Sequence, residues 1–364
     1  MEATLTKIPA ISIHPNQVNF YYQYHWDPEK PSHDTGDKNH FIFMDDDGNV
    51  EKIYTNRVKP IIDSDRKANG QVSKQAKKKI QKAVDYLLLM ANNKQGHSRF
   101  SGRFFNFKVA FVTLTLPSSQ QHDDKEIIGK CLNQLLIELR KVYKVKNYIW
   151  RAEKQKNGNI HFHILVDKFI PWQELKDRWN RIIEKLGYVT RYREQQQSWH
   201  DNGFKLRKNL IKTWSAEAQK KAYQRGAKTH WNSPNSTDIH SLRKLHNIKS
   251  YITKYMTKKP EEEGNSETPE EKETKQTGRL WGCNYSLSKP TGARADIDGE
   301  LEIELKKLMD DKTVYNYSEE YFSIFYISVL DFQKKGLDRL FALFSSYMFE
   351  TFGYAMQLNM KVNN

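Results

Sequence analysis

The sequence contains few cysteines and no long apolar run. Only Cys131 and Cys283 occur among its 364 residues, which excludes a disulfide framework and a cysteine-rich zinc cluster. No stretch of about 18 apolar residues occurs, and the N-terminal residues lack the apolar core of a signal peptide. We therefore expect a cytoplasmic protein without a membrane partner. A Gly-x-x-x-x-Gly-Lys-Ser/Thr loop is also absent, so no helicase is expected within this chain.

Positive charge is what the sequence has in excess. It contains 59 Lys and Arg against 44 Asp and Glu, a formal net charge of +15. This balance favours nucleic acid or another polyanion as the partner. The 19 Tyr and 18 Phe supply side chains on which the bases of a single strand can stack, although they can equally form a core.

The stretch from Tyr148 to Asp167 alternates polar and apolar residues on both sides of Lys156-Asn157-Gly158, which predicts a β-hairpin. Side chains on a strand alternate between its faces, so His161 and His163 point the same way, about 7 Å apart at their Cα atoms. Phe162, Ile164 and Val166 take the other face and are expected to reach the core. The His-x-His pattern alone also occurs on solvent-facing strands.

The turn of this hairpin decides which residue joins the two histidines. A two-residue Asn-Gly turn would pair Glu153 with Phe162 and send a carboxylate to the core. A three-residue loop, with Gly158 in the left-handed conformation, would pair Glu153 with His161 and Arg151 with His163. The sequence does not decide between them, but the second register avoids a buried carboxylate and is preferred. Glu153, His161 and His163 would then form a site that suits Mg²⁺ or Mn²⁺.

A second group of candidate residues lies on the helix predicted for Asn247 to Lys259. Tyr251 and Tyr255 are one helical turn apart and share a face, and each has a lysine three residues later, Lys254 and Lys258. A phenol is a weak nucleophile at neutral pH because its pKa is near 10, and nearby lysines and a metal ion favour the phenolate. The alternative is an amphipathic helix that uses its tyrosines for packing.

Together these motifs resemble the HUH endonuclease superfamily, and within it the two-tyrosine rolling-circle replication initiators of small single-stranded DNA phages and related replicons. The motifs are Thr113-Leu114-Thr115, His161-Phe162-His163 and Tyr251-x-x-x-Tyr255, in the order of that family. Residues 279–282, Arg-Leu-Trp-Gly, resemble a segment that follows the tyrosine helix in such initiators. The resemblance covers residues 105–290.

The resemblance implies a nickase and strand transferase that acts on single-stranded DNA at a replication origin. A tyrosine would form a 5′-phosphotyrosine, and a host helicase and DNA polymerase in a bacterial cytoplasm would be the partners. The residues expected to contact DNA are Arg151, Lys249, Lys77 and Lys78. The alternatives are a single-tyrosine transposase of the same superfamily, a cupin-like metal enzyme, and a non-catalytic nucleic-acid-binding module.

The predicted fold class is α+β, an HUH-type antiparallel sheet with helices on one face and the catalytic site on the other. The pattern predicts helices over 73–93, 124–142 and 171–186, and strands over 105–116, 238–242 and 279–286. Residues 59–290 would form the nickase domain, with a basic insertion at 188–235 and a disordered acidic loop at 260–276. Residues 1–58 have no assigned role, although 19–24, 40–44 and 50–54 suggest strands. Residues 291–364 are expected to be mostly helical, over 321–330 and 337–354.

Overall fold

The structure is a computed structural model that describes residues 6–25, 40–44, 50–54, 72–92, 94–97, 102–242, 276–288, 290–319 and 321–356. The chain divides into two compact units. One, the central unit, is Ala68–Ser288, and the other, the terminal unit, combines Met1–Lys67 with Lys289–Asn364. In the part of the chain that the structure describes, no helix combines the length and apolar character needed to cross a bilayer.

The described strands, in chain order, are β1 (Thr6–His14), β2 (Gln17–His25), β3 (His40–Met44), β4 (Val50–Tyr54), β5 (Lys94–His97), β6 (Phe104–Phe107), β7 (Val109–Leu114), β8 (Tyr148–Lys154), β9 (Ile160–Val166), β10 (Thr237–Leu242), β11 (Trp281–Cys283), β12 (Ala293–Asp296), β13 (Tyr315–Glu319) and β14 (Phe322–Tyr326). The described α-helices are α1 (Lys74–Met90), α2 (Asp124–Glu126), α3 (Asn133–Lys141), α4 (Trp172–Glu184), α5 (Tyr188–Trp199), α6 (Ala216–Lys228), α7 (Tyr285–Ser288), α8 (Gly299–Asp310) and α9 (Asp338–Phe352).

The predicted helix over 73–93 is confirmed as α1. Ser73 caps it by accepting a hydrogen bond from the backbone N–H of Ala76, as a serine at this position does. Ile80, Val84 and Leu87, spaced at three and four residues, are fully buried along one face. The periodicity of the apolar residues therefore determines this helix.

The predicted helix over 124–142 is confirmed, with one local difference. Asp123 caps its start by accepting a hydrogen bond from the Glu126 backbone N–H. Residues Ile127–Leu132 form a π-helical turn between α2 and α3. The third predicted helix is α4, and it stops near Gly187, whose φ of +75° ends it as glycine commonly does.

The central sheet is antiparallel, in the order β10-β7-β9-β8-β11. One of its faces packs against α3, α4 and the π-helical turn through apolar side chains that include Val112, Phe162 and Ile164, all completely buried. His161 and His163 take the other face because they alternate with Phe162 and Ile164 along β9. The α+β class and the antiparallel sheet are thus confirmed.

Two predicted strands are shorter than expected. The strand predicted over 105–116 is broken at Lys108, because β6 pairs with β5 while β7 joins the central sheet. The segment 279–286 is a strand only from Trp281 to Cys283 and then turns into α7. Gly282 lies against the ring of Trp150, where an added Cβ would come within 2.7 Å of the indole Nε1 atom.

The terminal unit is built from both ends of the chain. Its sheet has the order β12-β1-β2-β14-β13, so β1 pairs with β12 and β2 with β14. The strand predicted over 19–24 is confirmed within β2, and β3 pairs with β4 as predicted, with the turn at 45–49 outside the described residues. Nothing in the sequence pattern indicates β1 or the pairing of the two ends.

One prediction for the terminal unit is wrong. The apolar pattern over 321–330 predicts a helix, but these residues contain strand β14 followed by a short 3₁₀ turn at Val329–Asp331. The register explains this, because Phe325 pairs with Val18 and both side chains are buried. The helix predicted over 337–354 is confirmed as α9.

Several predicted features lie outside the described residues. They are the tyrosine helix at 247–259, with Lys249, Tyr251, Lys254, Tyr255 and Lys258, and the acidic loop up to residue 275.

Candidate metal centre

The register of the β8–β9 hairpin places Glu153 opposite His161 and Arg151 opposite His163. The backbone N–H of Gln155 donates to the Asn159 carbonyl across a three-residue loop, and Gly158 has a φ of +80°. Glycine adopts such an angle without steric cost, which is why the loop can close there. The bulged register is therefore the observed one, and the two-residue turn is excluded.

Side-chain hydrogen bonds fix the end of this hairpin. The Asn159 side chain donates to the Ser118 carbonyl and accepts from the Gln120 backbone N–H, at 2.9 and 2.8 Å. The Gln120 side chain accepts from the Ile160 backbone N–H at 2.6 Å. Asn159 is almost completely buried, so these bonds hold the strand that carries the histidines against the loop after β7.

Glu153, His161 and His163 form one cluster, which we call the metal cluster. One ligand atom from each lies within 4.8 Å of the others. The His163 Nε2 atom is 2.9 Å from the Glu153 Oε1 atom, and the two imidazole ring centres are 4.5 Å apart. Because His161 is 9% exposed and His163 is 6% exposed, bulk water competes little for their nitrogen atoms.

Thr113 extends the metal cluster from the neighbouring strand. It lies opposite His163 in the β7–β9 register, and its Oγ1 atom is 3.4 Å from the His163 Nδ1 atom. His163 is thus held from both sides, by a carboxylate at Nε2 and a hydroxyl at Nδ1. Such partners set the orientation and tautomer of a histidine that binds a metal ion.

The electrostatics of the site favour metal ligation at neutral pH. Burial, followed by the nearby charge of His163, lowers the pKa of His161 to about 4, so its imidazole is neutral. Burial alone would raise the pKa of Glu153, but the hydrogen bond from His163 and the charges of His163 and Arg151 outweigh it and lower that pKa. The site therefore offers a neutral imidazole and a carboxylate, the protonation states that metal ions require.

Arg151 lies next to this cluster. It is only 5% exposed and pairs with His163 on one side and Trp281 on the other, so all three share a face of the sheet. Burial lowers the pKa of Arg151, and the Glu153 charge partly opposes that change. The structure places this residue within the site and not on an outer surface.

The residues present fit a divalent cation. The buried Nδ1 atom of His161 has no hydrogen-bond partner among the described residues, which leaves one lone pair or proton unsatisfied inside the site. Two ligands of one Mg²⁺ or Mn²⁺ ion are each about 2.0–2.2 Å from it, so they lie within about 4.4 Å of each other. Small side-chain rotations would bring the metal cluster to that spacing.

The remaining predicted site residues are not brought into the metal cluster. Lys77 and Lys78 lie on α1, half-buried and exposed respectively, and neither has a hydrogen bond to a described residue of the site. The start of α1 faces Trp281 across a cavity of about 310 Å³, which is the nearest link between this helix and the Arg151 row. The two tyrosines and their lysines lie outside the described residues.

The sequence pattern assigns no role to the hydroxyl of Thr113 or to the side chains of Gln120 and Asn159. Thr113 could have been found by parity, since it alternates with the buried Val112 and Leu114 and must point to the histidine face. Gln120 and Asn159 carry no such signal, because they lie in loops.

Residues 109–260 match the family model of the replication-associated protein ORF2. The match covers about two fifths of the chain and includes the metal cluster, Thr113 and both tyrosines. No curated protein and no solved structure matches the chain. The match supports a replication initiator and does not test the two-tyrosine chemistry.

Proposed function

We propose that the chain initiates rolling-circle DNA replication as a metal-dependent nickase and strand transferase. The observation that carries this proposal is the metal cluster, a Glu-His-His set with both imidazoles largely buried, within the segment that matches replication-associated proteins. Two imidazoles and one carboxylate leave the remaining coordination positions of a divalent ion for substrate oxygens.

The distribution of charge supports a polyanionic substrate for the central unit. Residues 68–288 contain 42 Lys and Arg against 21 Asp and Glu, a formal charge of +21. The remaining residues contain 17 against 23, a formal charge of −6. The excess of positive charge is therefore confined to the unit that contains the metal cluster, as expected if that unit binds DNA.

The proposed reaction is a transesterification. The phenol oxygen of Tyr251 or Tyr255 attacks the scissile phosphorus and forms a 5′-phosphotyrosine, while the bond from phosphorus to the 3′ oxygen breaks. The phenol proton goes to solvent or a nearby base, and the leaving 3′ oxygen gains a proton. One phosphodiester replaces another, so the step is reversible and can rejoin strands.

The described residues prepare this reaction. When bound, a divalent ion would polarise the phosphate and offset the negative charge that develops in the transition state. Glu153 and His161 hold their ligand atoms deprotonated, and Thr113 orients His163. Arg151 adds a buried positive charge beside the site.

The presence of two tyrosines supports a complete replication round. Host polymerase would extend the free 3′-hydroxyl, a host helicase would unwind the duplex, and the second tyrosine would cut the regenerated origin. The displaced strand would then be released as a circle. A single-tyrosine enzyme would need a second subunit or water for the last step.

The proposal is tested by a covalent adduct. The protein is incubated with single-stranded origin DNA and Mn²⁺, denatured, and resolved by electrophoresis. We expect a band of protein bound to DNA that EDTA abolishes. The double variant His161→Ala, His163→Ala should form no adduct yet bind single strands nearly as well, because many Lys and Arg contribute to phosphate attraction. Mn²⁺-dependent adduct from this double variant would overturn the metal assignment.

The tyrosine variants test the nucleophile. Tyr251→Phe and Tyr255→Phe should each retain some adduct, and the double variant should form none. Each single variant should fail to release closed circles after a full round. If one tyrosine is dispensable in both assays, the chain is a single-tyrosine nickase.

A further inference from the structure

The helical insertion, residues 188–235, is anchored beside the metal cluster at both of its ends. At its start, the Tyr188 carbonyl accepts a hydrogen bond from the Ser118 hydroxyl at 3.0 Å. At its end, the Ser236 carbonyl accepts from both the backbone N–H and the hydroxyl of Thr115, at 2.9 and 3.2 Å. The insertion therefore leaves and rejoins the central unit at the loop that follows β7.

This anchoring point lies close to the histidines. Leu114 pairs with Phe162, so Thr115 comes next to His161 across the two strands. Neighbouring strands are about 4.8 Å apart, which puts the Ser236 backbone about 10 Å from that of His161. A nucleic-acid strand that leaves the metal cluster on this side passes the base of the insertion.

The insertion carries an excess of positive charge that the protein does not neutralise. It contains ten Lys and Arg against three Asp and Glu. Six of these cations are exposed and form no salt bridge or hydrogen bond with a described residue: Lys208, Lys212, Lys220, Lys221, Arg225 and Lys228. Two acids of the insertion, Glu194 and Glu217, likewise form no salt bridge with a described residue.

Three of the cations are aligned on α6. Lys221, Arg225 and Lys228 are spaced at four and three residues, so they share one face of the helix and extend along about 10 Å of its axis. Like charges at this spacing destabilise a helix by a few tenths of a kcal/mol, which phosphate groups on the same face would relieve. This row, which we call the α6 row, matches a polyanionic strand.

Exposed aromatic residues accompany the α6 row. Trp214 directly precedes Ser215, the residue that caps α6, and it is 38% exposed. Ile211 beside it is 48% exposed. Trp199 is also exposed, but Arg207 already lies over its ring, 5.5 Å from the ring centre. Trp214 differs in that no described aromatic ring or cation stacks on its indole, which leaves the ring accessible to a base.

We infer that the helical insertion is a second binding site for single-stranded DNA, in which the α6 row holds phosphates and Trp214 stacks on a base. A cationic track beside an open aromatic ring is the arrangement that binds single strands without reading their sequence. An open indole favours a single strand over a duplex, because the bases of a duplex already stack on one another. The inference rests on the proposed function for the strand that reaches the insertion, but its binding test is independent of cleavage.

The first test measures affinity for oligo-dT of about 25 and about 6 nucleotides by fluorescence anisotropy, over a range of salt concentrations and in EDTA. The variant Lys221→Gln, Arg225→Gln, Lys228→Gln should lose affinity for the long oligonucleotide and keep that for the short one. Three lost phosphate contacts should reduce the salt slope of log K by about 2. Unchanged affinity and slope for the long oligonucleotide would overturn the inference.

The control removes the same charge elsewhere in the central unit. Lys141, Lys144 and Lys146 are exposed around the end of α3, the helix that packs on the face of the sheet opposite the histidines. The control variant is Lys141→Gln, Lys144→Asn, Lys146→Gln, with Asn at 144 because that residue has a φ of +55°. If the control loses as much affinity as the α6 variant, binding is a diffuse charge effect and the second site is wrong.

The second test separates single strands from duplex. Trp214→Ala should weaken oligo-dT binding by about 5-fold or more, the equivalent of one lost base stack, and Trp214→Phe should restore most of it. Neither change should affect binding of a duplex of equal length. An equal loss for duplex, or no loss for oligo-dT, would contradict the assignment. Melting temperatures of all variants should match the wild type, because the changed side chains are exposed and bond to no described residue.

A failure of the second site can be told apart from a failure of the proposed function. These binding measurements need no metal and no cleavage, so they can succeed in a protein that forms no covalent adduct. Conversely, if adducts form on short oligonucleotides but the α6 variant binds long ones normally, only the second site is refuted.

Discussion

Glu153 is the residue whose replacement tests the metal cluster most sensitively. Glu153→Gln keeps the shape of the side chain and an oxygen that can accept the bond from His163 Nε2, but it removes the negative charge. Without metal the effect on folding should be small. The loss of a charge-assisted hydrogen bond costs about 1 kcal/mol, and the neutral amide is easier to bury.

The effect on metal binding should be much larger. We expect Mn²⁺ affinity to fall by about 10-fold or more, on the scale seen when support for a metal site is lost. At a Mn²⁺ concentration of about 100 times the wild-type Kd, binding stabilises the wild type by about 2.7 kcal/mol and a 10-fold weaker variant by about 1.4 kcal/mol. For a unit of this size, 1 kcal/mol corresponds to about 2–4 °C in Tm.

The assay is therefore a melting curve with and without Mn²⁺. The wild type should gain about 5–11 °C and Glu153→Gln about half of that. Glu194→Gln, which removes an exposed carboxylate of α5 that forms no described hydrogen bond, should behave as the wild type. Equal gains for Glu153→Gln and the wild type would show that Glu153 is not a ligand. A large loss of Tm without Mn²⁺ would instead assign it a structural role.

Two further predictions follow from the metal cluster. The folded-state pKa of His161, about 4, lies below its ordinary value of 6.5, so the unfolded chain takes up a proton first as the pH falls. Without metal, stability should therefore decrease between about pH 6.5 and pH 4, by up to about 3 kcal/mol, and His161→Gln should reduce that decrease in urea midpoints. Thr113→Val should lower Mn²⁺ affinity by about 10-fold in calorimetric titrations while Thr113→Ser preserves it, because only the hydroxyl holds His163; equal affinities would exclude this role.

The candidate site could largely be predicted because local chemistry determines it. Strand alternation places His161 and His163 on one face, and the cost of burying the Glu153 carboxylate selects the bulged turn that the structure contains. Helices α1 and α4 follow from the spacing of their apolar residues, with caps at Ser73 and Gly187. In each of these cases the residues that decide the structure are close together in the sequence.

The features that could not be predicted depend on distant contacts. Strand β1 pairs with β12 across nearly the whole chain, and no local pattern records such a partner. The run from Phe322 to Tyr326 is apolar enough for a buried helix or a strand, and only its pairing with β2 decides between them. The break at Lys108 likewise depends on β5, which the apolar pattern of β6 and β7 does not reveal.

The central claim is that this metal cluster directs a tyrosine to cut DNA. The most direct measurement is mass spectrometry of the peptide that carries DNA after the protein reacts with a single-stranded origin oligonucleotide and Mn²⁺. The account predicts a 5′-linked nucleotide on Tyr251 or Tyr255, absent when His161 and His163 are replaced by Ala. A nucleotide on any other residue, or cleavage that leaves a free 5′-phosphate and no covalent peptide, would contradict it.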